Sequence, residues 1–167
     1  MGDVPFWLQL AAVVLAPLLG LAGVLYGAWW SARAEERRWL RQERRLTYGA
    51  YLRAVNELSR DFALHVTRAA AARDRAWFND ALTAFNAAFI EWERAQGALT
   101  IIASPKVNEA AGPVLGAFAM TEDLVVPYAD QGAPMPDFDA EKWARCSAAL
   151  IAAIDGFTVA ARSDLGV

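Results

Sequence analysis

The sequence predicts an all-α protein in which one N-terminal transmembrane helix continues into an antiparallel bundle of about four helices. Three observations carry this. The run from Val4 to Ala32 contains no charged residue. Six arginines follow at once: Arg33, Arg37, Arg38, Arg41, Arg44 and Arg45. Beyond them, large apolar residues recur at alternating spacings of three and four, the pattern of helices packed along one face, and no convincing strand is present. The expected organisation is a transmembrane helix over residues 6–30, a basic juxtamembrane helix over 31–47 and a helical bundle over 48–165.

A helix needs roughly 20 apolar residues to cross a hydrocarbon core about 30 Å thick, so residues 6–30 suffice, with some tilt to spare. Aromatic residues stand where an interfacial belt would place them, Phe6 and Trp7 at one end and Tyr26, Trp29 and Trp30 at the other. Pro17 lies mid-span, where a membrane helix tolerates proline with at most a kink. The competing reading is a cleaved signal peptide, for which Ala32-Arg33-Ala34 has the small-x-small form. Against it, Asp3 and no basic residue precede the run, and the run far exceeds a signal core. A core helix of a soluble protein would show a polar face, and this stretch has none. Lys and Arg beside a span stay cytoplasmic. The expected topology is therefore a single pass through the inner (plasma) membrane, N-terminus out and body in the cytoplasm.

The remaining length suits one domain. Lysine occurs only at 106 and 142 while arginine and alanine are abundant, a bias of high-GC bacterial genomes. The formal net charge of -3 conceals an asymmetry. From Arg33 to Arg75, eleven arginines face six carboxylates, a balance of +5. From Ala76 onward, five basic residues face twelve acidic ones, a balance of -7. That order places the basic part against anionic lipids and the acidic part away from them. The single cysteine, Cys146, excludes an intramolecular disulfide framework.

Nothing from Ala28 to Thr47 strongly breaks a helix, so the span is expected to run on into the arginine block. Tyr48, Tyr51, Val55, Leu58, Phe62, His65 and Ala69 then form one stripe. A second register starts at Phe78 and continues through Ala81, Phe85, Ala88, Trp92, Ala95, Leu99 and Ile102. The change of phase predicts a turn within residues 70–76, although no glycine or proline marks it. Ser104-Pro105 reads as a helix start, serine capping and proline at the first helical position. That helix would bury Val107, Ala110, Ala111, Val114, Leu115 and Phe118, with Gly112-Pro113 able to kink or split it. Pro127 to Asp139 reads as an exposed connection. Asp139 would cap the last helix, whose stripe is Trp143, Ser147, Leu150, Ile154, Phe157 and Ala161. No second membrane span is expected, because the Cys146 to Ala161 run is short and holds Asp155.

After the apolar run come Arg37-Arg38 and Glu43-Arg44-Arg45, then Tyr48-Gly49-Ala50-Tyr51-Leu52-Arg53-Ala54, then Ala103-Ser104-Pro105-Lys106-Val107, and at the end Ala160-Ala161-Arg162-Ser163-Asp164-Leu165-Gly166. With the N-terminal span, the chain resembles a loose group of small uncharacterised actinobacterial single-span membrane proteins with a helical cytoplasmic body. The resemblance implies an architecture and no activity, so it assigns no functional residue.

Catalytic signatures are sparse. His65 is the only histidine and falls on the apolar stripe, which favours a packed core histidine over a ligand or general base. Cys146 beside the last stripe reads as a small core residue. No Glu precedes His65 by three, as a di-iron bundle would require, and no phosphate-binding loop, dinucleotide fingerprint or nucleophile elbow occurs. The expectation is a non-enzymatic protein with no catalytic, cofactor or metal residues.

The arginine block, Arg33, Arg37, Arg38, Arg41, Arg44 and Arg45, is expected to contact anionic lipid head groups. Interleaved Glu35, Glu36 and Glu43 and the acidic body argue against nucleic acid. Gly23 and Gly27 form a Gly-x-x-x-Gly with Gly20 on a neighbouring face; with Trp39-Leu40 they are candidates for self-association. The leading expectation is a membrane-tethered helical interaction module with a protein partner or a second copy of itself. A small-molecule or lipid sensor using the bundle interior is the runner-up, with Phe78, Phe85, Phe89, Trp92, Trp143 and Phe157 able to line a pocket. A phage- or prophage-encoded exclusion or defence factor fits the size and rests on no residue.

Overall fold

A computed structural model describes the backbone of residues 6–130 and 134–167 and the side chains of 20–130 and 134–167. Its regular structure is entirely helical, with no strand among the described residues. The chain divides into two units, residues 1–42 and 43–167. The side chains of Phe6, Trp7 and Pro17, expected in the belt and mid-span, lie outside the described residues.

Helix α1 (Phe6–Asp61) has 56 residues, so every position from 28 to 47 is helical, as the lack of helix breakers there predicts. In the first unit the side chains of Leu21, Val24, Leu25, Tyr26, Trp29 and Trp30 are all exposed.

The second unit is a helical bundle. Its first stretch is the end of α1, which buries Tyr48, Tyr51, Val55 and Leu58 in the expected register. A π-helical turn, Phe62–Val66, then interrupts the α-helix. The wider turn advances the register by one residue, so Val66 and Ala70 join the core with Phe62 and Ala69. His65 is turned out to solvent, which corrects its placement on the buried stripe. A short helix α2 (Thr67–Ala72) finishes the stretch.

The predicted turn falls at Arg73 and Asp74. Arg73 closes it in the left-handed region (φ 55°), a conformation usually left to glycine, and its N–H bonds the carbonyls of Ala69 and Ala70. Asp74 caps the next helix, α3 (Arg75–Ile102), accepting from the Trp77 N–H at 3.0 Å. Helix α3 buries Phe78, Ala81, Phe85, Trp92 and Leu99, the predicted face. Helix α4 (Pro105–Ala129) begins at Ser104-Pro105, but the Ser104 hydroxyl makes no capping bond. Pro113 does not split it, and Pro127 also lies inside it. Leu115, expected in the core, is exposed; Ala117, Thr121, Leu124, Val125 and Tyr128 extend the buried face instead. The connection to the last helix is not wholly exposed, since Met135 is buried and Phe138 packs on the core. Gly132 lies outside the described residues.

Helix α5 (Ala140–Leu165) is capped by the Asp139 carboxylate, which accepts from the Lys142 N–H at 2.9 Å. It buries Trp143, Leu150, Phe157 and Ala161 as predicted, with Cys146 and Ala153 in place of Ser147 and Ile154. Among the described residues it is the one helix long and apolar enough to cross a membrane, against the expectation that no such second stretch exists. Its inward face is committed to the bundle: Trp143 stacks on Phe62 (5.2 Å between centroids), and Phe157 meets Tyr51 (4.6 Å) and Tyr48 (6.3 Å).

Candidate functional site

Three places in the molecule gather chemistry. The first is a basic helix face within residues 1–42. At 3.6 residues per turn, Arg33, Arg37 and Arg41 fall roughly in line along α1, Arg38 and Glu36 flank them on opposite sides, and Glu35 points away. A concavity of about 310 Å³ runs along this face, lined by Trp30, Arg33, Ala34, Arg37, Arg38 and Arg41. The Arg33 guanidinium lies 3.8 Å from the centre of the Trp29 ring, close enough for a cation–π contact. Tyr26 packs against Trp29 and Trp30, at 6.1 and 6.2 Å. Aromatic rings thus lead directly into guanidinium groups along one helix. The spacing of four was visible in the sequence; there it registers only as like-charge repulsion worth tenths of a kcal/mol per pair.

Arg44, in the second unit, is bonded to the body. Its Nε donates to the Ile102 carbonyl at 3.1 Å and its Nη1 pairs with Asp164 Oδ2 at 3.3 Å. Two of its donors are thus engaged by the body. Arg45 is exposed. Trp39 is exposed and Leu40 half-buried. A methyl group added at Gly20, Gly23 or Gly27 would meet nothing within 4 Å.

The second place is the polar knot around Arg44, at one end of the body. The Tyr48 hydroxyl donates to Asp164 Oδ2 at 2.8 Å and accepts from the Ser104 N–H at 3.4 Å. Burial, then the bond to Asp164, pushes the Tyr48 pKa up. Lys106 Nζ reaches Ser163 Oγ at 3.3 Å. The end of α5 and the corner between α3 and α4 are thereby tied to α1. The knot joins Arg44 and Tyr48 of α1, Ser104 and Lys106 at the start of α4, and Ser163 and Asp164 of α5. Its members are 56 to 120 residues apart, so no local pattern could announce it. These bonds tie elements of the body to one another.

The third place is a groove of about 470 Å³ between α3 and α4. Leu82, Phe85 and Phe89 form one wall, and Phe118 and Val125 form the other. Asn86, Glu93 and Glu122 also line it. The Thr121 hydroxyl, at its base, is spent on the Phe118 carbonyl at 2.7 Å. Of the six aromatics that could have lined an interior pocket, only Phe85 and Phe89 border this groove. Phe78, Trp92, Trp143 and Phe157 are packed core. The bundle centre holds Tyr51 instead, with its hydroxyl near Trp92. Burial pushes the Tyr51 pKa up to about 12, and the Trp92 indole offsets a smaller part. Neither the Tyr51 hydroxyl nor Trp92 Nε1 makes a well-aligned hydrogen bond among the described residues.

The thiol and imidazole do not form a dyad. Cys146 is buried, which raises its pKa, and the charges acting on it are those of Lys142 and Asp123. A thiol so placed is a poor nucleophile. Among the described residues, no three His, Cys, Asp or Glu side chains gather as metal ligands would. Compared with known protein families, curated proteins and solved structures, the chain matches none.

Proposed function

We propose that this protein is a non-enzymatic, membrane-tethered helical interaction module whose body lies at the cytoplasmic face of a bacterial inner membrane. The observation that supports this best is the junction of two faces. An uncharged run of membrane-spanning length, flanked by Tyr26, Trp29 and Trp30, leads into the concave arginine face of Arg33, Arg37, Arg38 and Arg41. The aromatics suit the head-group level and the guanidiniums suit the phosphates beyond it. The exposed apolar side chains from Leu21 to Trp30 are those that lipid would cover. Helix α5 is the weaker candidate for a span, because Asp155 and Arg145 face outward from it and its other face fills the bundle.

The body is read as an antiparallel bundle. Tyr48 meets Phe157 and Phe62 meets Trp143, so numbers rise along α1 as they fall along α5. A protein partner or a second copy would be presented to this body by the tether. The test is the full chain reconstituted in phosphatidylcholine nanodiscs with and without phosphatidylglycerol, with retained lipid read by native mass spectrometry. The wild type should retain phosphatidylglycerol preferentially. Replacing Arg33, Arg37, Arg38 and Arg41 by Gln should weaken that preference by at least about tenfold, since each basic residue near the surface is worth roughly 1 kcal/mol. Equal retention by both proteins would refute the head-group role.

A second reading is favoured by one observation, the groove between α3 and α4. Its volume lies in the range of small-molecule sites, roughly 300–1,000 Å³. It relocates a sensor function from the packed bundle interior to the side of the bundle.

A further inference from the structure

We propose that the groove between α3 and α4 binds an organic cation, a small molecule with an aromatic or branched apolar body and a quaternary or tertiary ammonium head. The proposal rests on the reading of that groove as a ligand site, and adds the chemistry of what fills it.

The walls and the rim supply the argument. Phe85 and Phe89 stand one turn apart on α3, and Phe118 faces them from α4. Phe89 touches both Phe85 (6.4 Å) and Trp92 (5.1 Å), and Trp92 touches Phe118 (4.9 Å), so the aromatic wall is fixed in place by packed core. Ring faces carry negative potential and attract cations, most strongly those that are weakly hydrated. Two carboxylates line the same groove, Glu93 on α3 and Glu122 on α4. The contact of Trp92 with Phe118 sets Glu93 at the Phe118 end, and Glu122, one helical turn along α4 from Phe118, stands further along the groove. No lysine or arginine lines the groove to cancel them. Glu93 and Glu122 have no salt bridge among the described residues, whereas nearby Glu91 is paired with Arg94. Apolar walls, aromatic rings and two carboxylates without a salt bridge, one from each helix, together disfavour an anion. They leave a neutral apolar ligand without a partner for the charge. A cation with an apolar body satisfies both.

The experiment uses the full chain in phosphatidylcholine nanodiscs, which carry no net lipid charge, with empty nanodiscs as the blank. Three probes of one shape are titrated by calorimetry: (2-naphthylmethyl)trimethylammonium, its neutral tert-butyl analogue and 2-naphthylmethanesulfonate. The ammonium should bind saturably, the neutral analogue at least about tenfold more weakly, and the sulfonate not at all. The double variant Glu93→Gln/Glu122→Gln should lose at least about tenfold of the ammonium affinity, both sites being exposed and removed from the core. Val126→Trp, a substitution at an exposed groove residue, should block binding while leaving the circular dichroism melt in place. Equal binding of the neutral analogue would overturn the cation while leaving the groove a ligand site. Binding of none of the three would overturn both. A peptide of residues 29–45 that binds where the ammonium does not would show the groove to be a docking site for a second copy, and would also overturn the proposal.

Discussion

Two residues, Trp92 and His65, separate what side-chain type predicts from what packing decides. Trp92 is 2% exposed and touches Phe89 and Phe118. Trp92→Ala should cost on the order of 3–5 kcal/mol in chemical denaturation, as deleting a large buried aromatic does. His65→Ala should stay within about 0.5 kcal/mol, because the π-turn places it in solvent. A large cost at His65 would return it to the core and deny the shift of register. Tyr51 offers a test by pH. Its neutral form is favoured in the folded state, with the pKa raised from 10.0 to about 12. Between those values the unfolded chain loses the proton and the folded chain keeps it, so stability falls as pH rises. The stability is fully present below pH 10. Tyr51→Phe should make the alkaline side of the stability curve shallower, and at neutral pH should cost little, since the hydroxyl has no well-aligned partner. An unchanged alkaline limb would mean that the hydroxyl titrates as if exposed.

At the scale of elements, local chemistry was legible and long-range chemistry was not. The starts of α4 and α5 followed from Ser104-Pro105 and Asp139, because caps and first-turn prolines act within a few residues. The turn at Arg73 was legible from the phase change between two stripes, without any turn residue. The π-turn was not, because Phe62 to Val66 carries no residue that forbids an ordinary α-turn. Cys146 was legible as a core residue, but Ser147 and Ile154 are only half-buried and Ala153 takes the core position, a rotation of the buried face set by the neighbouring helices. The arginine face was readable in part. The bond of Arg44 to Asp164 was not, because that carboxylate stands 120 residues away. Helix α4 provides the element-scale prediction. Pro113 is exposed inside it and denies the Glu109 carbonyl an N–H. Pro113→Ala should raise stability by roughly 1–3 kcal/mol in thermal unfolding. A loss would show that the proline sets a bend on which the packing of Val107 and Phe118 depends.

At the scale of the whole molecule, charge and hydropathy are sorted along the chain. The uncharged run comes first, the arginine face second and the acidic body last. That order would hold the body at one membrane surface, with its acidic part directed away from anionic lipid. In the topology we propose, the body is cytoplasmic and held there by the N-terminal span. The most direct measurement fuses a reporter after Val167 that is active only outside the cytoplasm, beside a reporter that fluoresces only inside it. The account predicts that the first is silent and the second bright in the membrane fraction. A bright external reporter, or a fluorescent protein that fractionates away from the membrane, would contradict it.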